Sequence, residues 1–346
     1  MKTTQFEKPG QVTVVDAPKP TIQAPDDVII HVVRTCVCGS DLWAYRDLES
    51  KAAHSENSGH EAIGVVDAIG DDITTVKPGD FVIAPFTHGC GHCAACLAGF
   101  DGDCQSHDDN FSNGVQAEYI RFQHGEWALV KVPGKPADYT DGMLNSLLTL
   151  ADVMATGYHA ARVANVKTGD TVVVVGDGAV GLCGVIAAKM RGAKRIIAMS
   201  RHADRQALAT EFGATDIIAE RGDDAITKVM ALTNNAGADA VLECVGTELS
   251  NQTAMQVARP GAIVGRVGLP HEPKMDMSAS FYNNTIIAGG PASVTTYDKQ
   301  VLLKAVLDGD IHPGKVFTKR FNLDDIDDAY QAMTNREVIK ALVLTE

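Results

Sequence analysis

Four cysteines, Cys90, Cys93, Cys96 and Cys104, are spaced C-x2-C-x2-C-x7-C within the loop-like stretch 87–106. Thiolates this close together fit the tetrahedral shell of a closed structural zinc site, which is often built from four cysteines. Disulfides would need an oxidising compartment, and residues 1–20 show no apolar export signal or cleavage site. Iron–sulfur runs are spaced differently, the bacterial type ending x3-C-P and the plant type beginning C-x4-C. Gly89, Gly91, Gly99, Asp101, Gly102 and Asp103 leave the lobe little apolar content, so a metal would serve to staple it.

A second chemical signature is Gly176-Asp177-Gly178-Ala179-Val180-Gly181, a G-x-G-x-x-G directly after the apolar run Val172–Val175 and before a helical segment. In that context the motif reads as a dinucleotide-binding loop. Gly176 permits the tight turn, Gly178 lets backbone approach the pyrophosphate and Gly181 allows close helix–strand contact. Ala179 and Val180 open the helix whose N-terminus offers amides and dipole to the phosphates. Asp177 has to turn away from the pyrophosphate, or its charge would oppose binding. An NAD site places an acid about 20 residues on, accepting from the ribose 2′-hydroxyl. Here the run Ile196–Met199 ends in Ser200-Arg201-His202, with Arg205 a turn later. Ser200 and Arg201 suit a 2′-phosphate, so NADP is favoured over NAD. In the plainer alternative Arg201 and Arg205 only solvate a helix start, with Asp204 as a partner.

The elements that must position these residues follow from the rest of the chain. Its 346 residues exceed one typical domain, and a hydrophobic share of 45% describes a globular protein in water. A net charge of −14 without a basic cluster repels nucleic acid and anionic lipid, so neither is expected as a partner. The apolar run 171–190 is about long enough to span a bilayer, but its glycines and Asp177 favour a buried strand, turn and helix. A cytoplasmic protein is expected. Short apolar runs at 28–33, 62–69, 81–84 and 117–121, separated by turn signals such as Lys77-Pro78-Gly79-Asp80, predict a β-rich first domain. Residues 144–163 read as one helical stretch. Beyond Lys167-Thr168-Gly169-Asp170 the rhythm alternates. Strands are expected at 171–175, 195–199, 216–219, 240–243, 262–267 and 285–288, and helices at 180–190, 203–212, 224–234 and 251–258. That is the mark of an α/β doubly wound parallel sheet. A tail helix at 299–307 and a terminal strand at 341–344 are expected to return to the first domain.

Three further stretches carry a resemblance: Cys36-Val37-Cys38-Gly39-Ser40-Asp41; Gly59-His60-Glu61 with Gly64 and Gly70; and Asp152 ahead of Thr156-Gly157. With the four-cysteine lobe and the glycine loop in the same order, essentially the whole chain resembles the zinc-containing medium-chain alcohol dehydrogenases. The pattern is nearest to bacterial NADP-dependent secondary-alcohol dehydrogenases. The resemblance implies a GroES-like β-rich catalytic domain over 1–155, a Rossmann domain over 156–290, and a return to the first domain over 291–346. It also implies a homodimer pairing strands near 285–288, or a homotetramer of two such dimers. Cys38 and His60 match two catalytic zinc ligands. Asp152 stands where most members have a cysteine, as in some bacterial secondary-alcohol dehydrogenases. Glu61 matches the carboxylate beside the zinc, and Ser40 the hydroxyl that passes the alcohol proton onward. Two zinc ions per chain are implied.

A catalytic zinc keeps three protein ligands and one open position, and acts as a Lewis acid for an alcohol or carbonyl oxygen. The implied function is therefore an oxidoreductase interconverting an alcohol with an aldehyde or ketone by hydride transfer. Trp43 departs from the family, which often has a histidine there to finish the proton path. Its indole N–H is no titratable base, leaving water, the coenzyme ribose or His54 for that step. Cys36, Cys183 and Cys244 read as buried apolar residues. Two other readings stand beside the first: an NAD-linked polyol or amino-alcohol dehydrogenase on the same scaffold, and a non-catalytic nucleotide-binding sensor.

Overall fold

β-branched residues crowd the segment Val28–Cys36 (VIIHVVRTC), and that composition favours a strand with both faces covered. The computed structural model describes residues 1–47, 58–106, 110–270, 277–292 and 296–345. It divides the chain into two compact units, Met1–Asp152 with Ser293–Glu346, and Val153–Ala292. His54 lies outside the described residues.

In the first unit the strand Val28–Cys36 lies inside a sheet of order Phe317–Asn322, Lys340–Leu344, Val28–Cys36, Ala62–Ile69, Phe81–Ala84 and Val130–Val132. Tyr119–Phe122 also pairs with Val28–Cys36. The pairings are antiparallel except that between Phe317–Asn322 and Lys340–Leu344. Val28, Ile30 and Val32, at the strand period of two, enter one core with Val66, Val82, Ile120 and Phe122. Each such side chain contributes about 1.5–3 kcal/mol through burial. A second core joins Val37, Leu42 and Tyr45 to Phe321, Ile326, Tyr330 and Val343, so the C-terminal return completes the region around Cys38. Strands Lys2–Lys8 and Gln11–Asp16, which the sequence pattern did not announce, form a separate hairpin.

The second unit is a six-stranded parallel sheet. Its order is Asp216–Ile218, Arg195–Met199, Thr171–Val175, Ala238–Glu243, Ala258–Arg266 and Ile286–Gly289. Numbered within the unit this is 3-2-1-4-5-6, the Rossmann order, whose direction reverses beside Thr171–Val175. The apolar run 171–190 is a strand, a glycine turn and the helix Ala179–Met190. Among the described residues no helix is long and apolar enough to cross a membrane.

One expectation needs correction. Residues 144–163 are not a single helix but two, Asp141–Thr149 and Val153–Val163. Between them Leu150, Ala151 and Asp152 donate their N–H groups three residues back, to Leu147, Leu148 and Thr149. The carbonyl of Ala151 is taken by the N–H of Phe86 at 2.9 Å, which draws the backbone out of the helical ladder. Asp152 therefore sits in the turn between them.

Gly64 lies in Ala62–Ile69, opposite Val32 of the paired strand Val28–Cys36. A Cβ there would run into the carbonyl oxygen of His31 and stand 2.6 Å from the Ile30 side chain. Gly64→Ala is expected to destabilise the protein by about 1–3 kcal/mol, the usual range for overpacking. A lower thermal-unfolding midpoint, measured on the metal-loaded protein, checks it.

Candidate functional site

Cys38 follows the strand Val28–Cys36, His60 and Glu61 lead into Ala62–Ile69, and Asp152 stands in the turn after Asp141–Thr149. These four residues each offer an atom, and the four atoms lie within 4.8 Å of one another. Asp152 Oδ2 is 3.4 Å from both Cys38 Sγ and His60 Nε2. Tetrahedral zinc with ordinary bond lengths has ligand–ligand edges of about 3.3–3.6 Å for such atoms. The spacing is that of ligands around a shared ion.

The surrounding groups fix these side chains. The Asp41 carboxylate pairs with His60 Nδ1 at 3.2 Å and accepts the Cys38 N–H at 2.8 Å. Holding Nδ1 in this way turns Nε2 toward the cluster. Glu61 Oε1 accepts from Lys340 Nζ at 2.6 Å, with both side chains only 1% exposed. Lys340 also donates to the Val37 carbonyl at 3.2 Å. Glu61 Oε2 is buried with no hydrogen-bond partner among the described residues, an acceptor available to a cation.

Burial pushes the Cys38 thiol and the Glu61 carboxyl above their ordinary values, and Lys340 pulls both back. Burial would lower Lys340, yet facing Cys36, Glu61, Cys38 and Asp152 it is held well above the usual lysine range. With Lys340 matched to Glu61, the Cys38 thiolate and Asp152 carboxylate together balance one divalent ion. The donor set therefore fits zinc. Ser40 is half-buried at the start of the short helix Asp41–Tyr45, which also carries Trp43.

In the lobe, Cys90, Cys93, Cys96 and Cys104 likewise present sulfurs within 4.8 Å of one another. Cys93 Sγ and Cys104 Sγ are 3.9 Å apart, far beyond a disulfide bond and close to the roughly 3.8 Å edge of a four-thiolate zinc. Backbone N–H groups donate to the sulfurs: Cys93 to Cys90 at 3.3 Å, Gln105 to Cys93 at 3.4 Å and Cys90 to Cys104 at 3.4 Å. Such bonds favour thiolate, and those from Gln105 and then Cys96 draw the Cys93 thiol down to about 6.

The glycine loop lies in the second unit. Gly176 has φ of +119°, which a side chain resists, and a Cβ on Gly181 would overlap the Gly176 carbonyl oxygen. A Cβ on Gly178 would meet nothing within 4 Å, leaving open space before the helix Ala179–Met190, in whose first turn Val180 lies. That open cradle at a helix N-terminus fits a pyrophosphate. Ser200 is buried after the strand Arg195–Met199, Arg201 is exposed and Arg205 half-buried in the helix Ala203–Phe212. Asp177 turns toward Ser200, and Arg205 pairs with Asp177 at 3.3 Å.

Four residues here escaped the sequence reading: Asp41, Lys340, Glu243 and, in its contacts, Asp177. Glu243 ends the buried strand Ala238–Glu243 and accepts from the N–H groups of Val245 and Gly246 at 2.9 and 2.8 Å. An acid closing the apolar run Ala240–Leu242 was a visible signal for it. Nothing near Lys340 in sequence marked it out.

Two family models match, one described as alcohol dehydrogenase GroES-like domain over residues 24–134 and one as zinc-binding dehydrogenase over 179–299. A medium chain reductase/dehydrogenase of an Acremonium species is 32% identical, the match covering 81% of this chain and 97% of the relative. An NADP-dependent isopropanol dehydrogenase of Clostridium beijerinckii is 29% identical over 92% of this chain and 93% of its own. The solved alcohol dehydrogenase of Thermus sp. ATN1 superposes with a TM-score of 0.88 at 28% identity, covering 100% of both chains. The chain belongs to the zinc-type medium-chain alcohol dehydrogenases, whose members are alcohol/carbonyl oxidoreductases using zinc and a nicotinamide coenzyme.

Proposed function

We propose that this chain interconverts an alcohol with its aldehyde or ketone using NADP(H) in preference to NAD(H), with Cys38, His60 and Asp152 as catalytic zinc ligands. The observation that carries the reading is the Asp152 carboxylate oxygen standing 3.4 Å from both Cys38 Sγ and His60 Nε2. When bound, zinc supplies a Lewis acid for the substrate oxygen. The chain's own residues do the rest. Asp41 sets the His60 tautomer. Cys38 and Asp152 would neutralise the ion, and Lys340 pairs with Glu61 Oε1, leaving Oε2 beside the ion to bind when water or substrate leaves. The Ser40 hydroxyl carries the alcohol proton away from the substrate. Trp43, two helix positions from Asp41, offers no base for the next step.

The four cysteines of the lobe hold a second, structural zinc. Gly176, Gly178, Ala179, Val180 and Gly181 receive the pyrophosphate. Ser200, Arg201 and Arg205 receive the 2′-phosphate, a reading supported by the absence of an acid at positions 200–202. The protein works as a homodimer or a homotetramer of such dimers. The strand Ile286–Gly289 ends the second unit's sheet, and nearby Phe281 and Tyr282 are 78% and 80% exposed. A cytoplasmic location suits a chain whose lobe cysteines hold zinc rather than disulfides.

Metal analysis of the purified protein, with NADPH and NADH oxidation against a panel of small ketones and aldehydes, tests the whole reading. Two zinc ions per chain and faster turnover with NADPH are expected; one zinc and no turnover would remove Asp152 from the ligand set. Asp152→Cys should hold the catalytic zinc longer under a chelator challenge, because thiolate donates more electron density than carboxylate. Lys340→Met leaves the Glu61 carboxylate buried without its ammonium, and should lower stability by about 3–5 kcal/mol in chemical denaturation. Lys340→Arg, which restores the charge, should recover much of that loss.

A further inference from the structure

The end of the second parallel strand, where an NAD site keeps its acid, does hold a carboxylate in space although none is there in sequence. Asp177, from the glycine loop, reaches it. Asp177 Oδ2 accepts from the Ser200 hydroxyl at 2.9 Å and from the Arg201 backbone N–H at 3.3 Å. Its Oδ1 accepts from Arg205 Nη1 at 3.3 Å, and the same nitrogen donates to the Asp177 carbonyl at 3.3 Å. The turn that presents these donors is itself held. Gln206 Nε2 donates to the Ser200 carbonyl at 2.8 Å, and the Ser200 N–H donates to the Ile218 carbonyl at 2.9 Å. Both members of the ion pair are largely shielded, the Arg205 side chain at 12% exposure and Asp177 at 15%.

A hydroxyl, a main-chain amide and a guanidinium converging on one point form an anion-binding constellation. In this structure their anion is part of the chain. A coenzyme 2′-phosphate seeking the same three donors meets a like charge only a few ångströms away, in a partly desolvated setting where repulsion is strong. A ribose 2′-hydroxyl is neutral and a donor, and the same carboxylate accepts from it.

We propose that Asp177 is a specificity-determining residue for the coenzyme, its carboxylate occupying the seat of the 2′-phosphate and favouring an unphosphorylated ribose. The proposal rests on the coenzyme loop assigned above and deepens it. Ser200 and the arginines attract the 2′-phosphate, Asp177 repels it, and the preference of the protein is the balance of the two.

Calorimetric titration of the intact, zinc-loaded protein with adenosine 2′,5′-bisphosphate and with AMP tests this without relying on turnover. The quantity read is the ratio of the two affinities in the parent, in Asp177→Asn and in Asp177→Ser. Both substitutions remove the charge, and the second also shortens the side chain, so a folding defect peculiar to one leaves the other to decide. The ratio is expected to rise in favour of the bisphosphate by about tenfold or more. A ratio that stays level or falls overturns the proposal. The parent's own ratio separately decides the NADP reading. A parent favouring AMP would reject that reading, while a rise in the variants would still assign the discrimination to Asp177.

Discussion

The first unit is organised around an electrostatic constraint: Cys38, Glu61 and Asp152 are buried together, and isolated buried anions are costly. The strand order answers that constraint. Val28–Cys36 pairs on one side with Ala62–Ile69, Thr35 opposite Ala62, and on the other with Lys340–Leu344, Cys36 opposite Leu342. These registers bring the ends carrying Cys38, Glu61 and Lys340 together. One ammonium meets one carboxylate, and the remaining thiolate and carboxylate would match the charge of one divalent ion. The turn at residues 150–152 brings the Asp152 carboxylate to the same cluster.

The two units present opposite electrostatic problems. The first gathers acceptors that need a cation, whereas the second gathers donors that need an anion: loop amides, a helix N-terminus, Ser200 and Arg205. Asp177 partly satisfies the second arrangement from within. A loop residue that reads as an awkward charge beside a pyrophosphate becomes, once folded, the partner of donors on the neighbouring turn and the helix that follows it.

Much of the fold was legible because its signals are local. The Rossmann alternation appears as apolar runs of strand length separated by helical segments, and the strands Thr171–Val175 and Arg195–Met199 coincide with those runs. The single helix expected over 144–163 failed because its break depends on a hydrogen bond from Phe86, remote in sequence. The candidate ligand residues stood out through short motifs, and it was the resemblance that suggested a common purpose for Cys38, His60 and Asp152.

By itself, the sequence determined the four-thiol lobe, the glycine loop and the alternating second unit, since each is written in neighbouring residues of fixed spacing. Only the tertiary structure decided that Lys340 faces Glu61 across 279 positions, that Asp41 orients His60, and that Asp177 rather than Asp204 pairs with Arg205. Those contacts follow from strand register and from the C-terminal segment closing back on the first sheet. Hydrophobic periodicity specifies which face of a strand is buried. Which distant charge is brought opposite it depends on how the strands pair, and that is settled only when the whole chain packs.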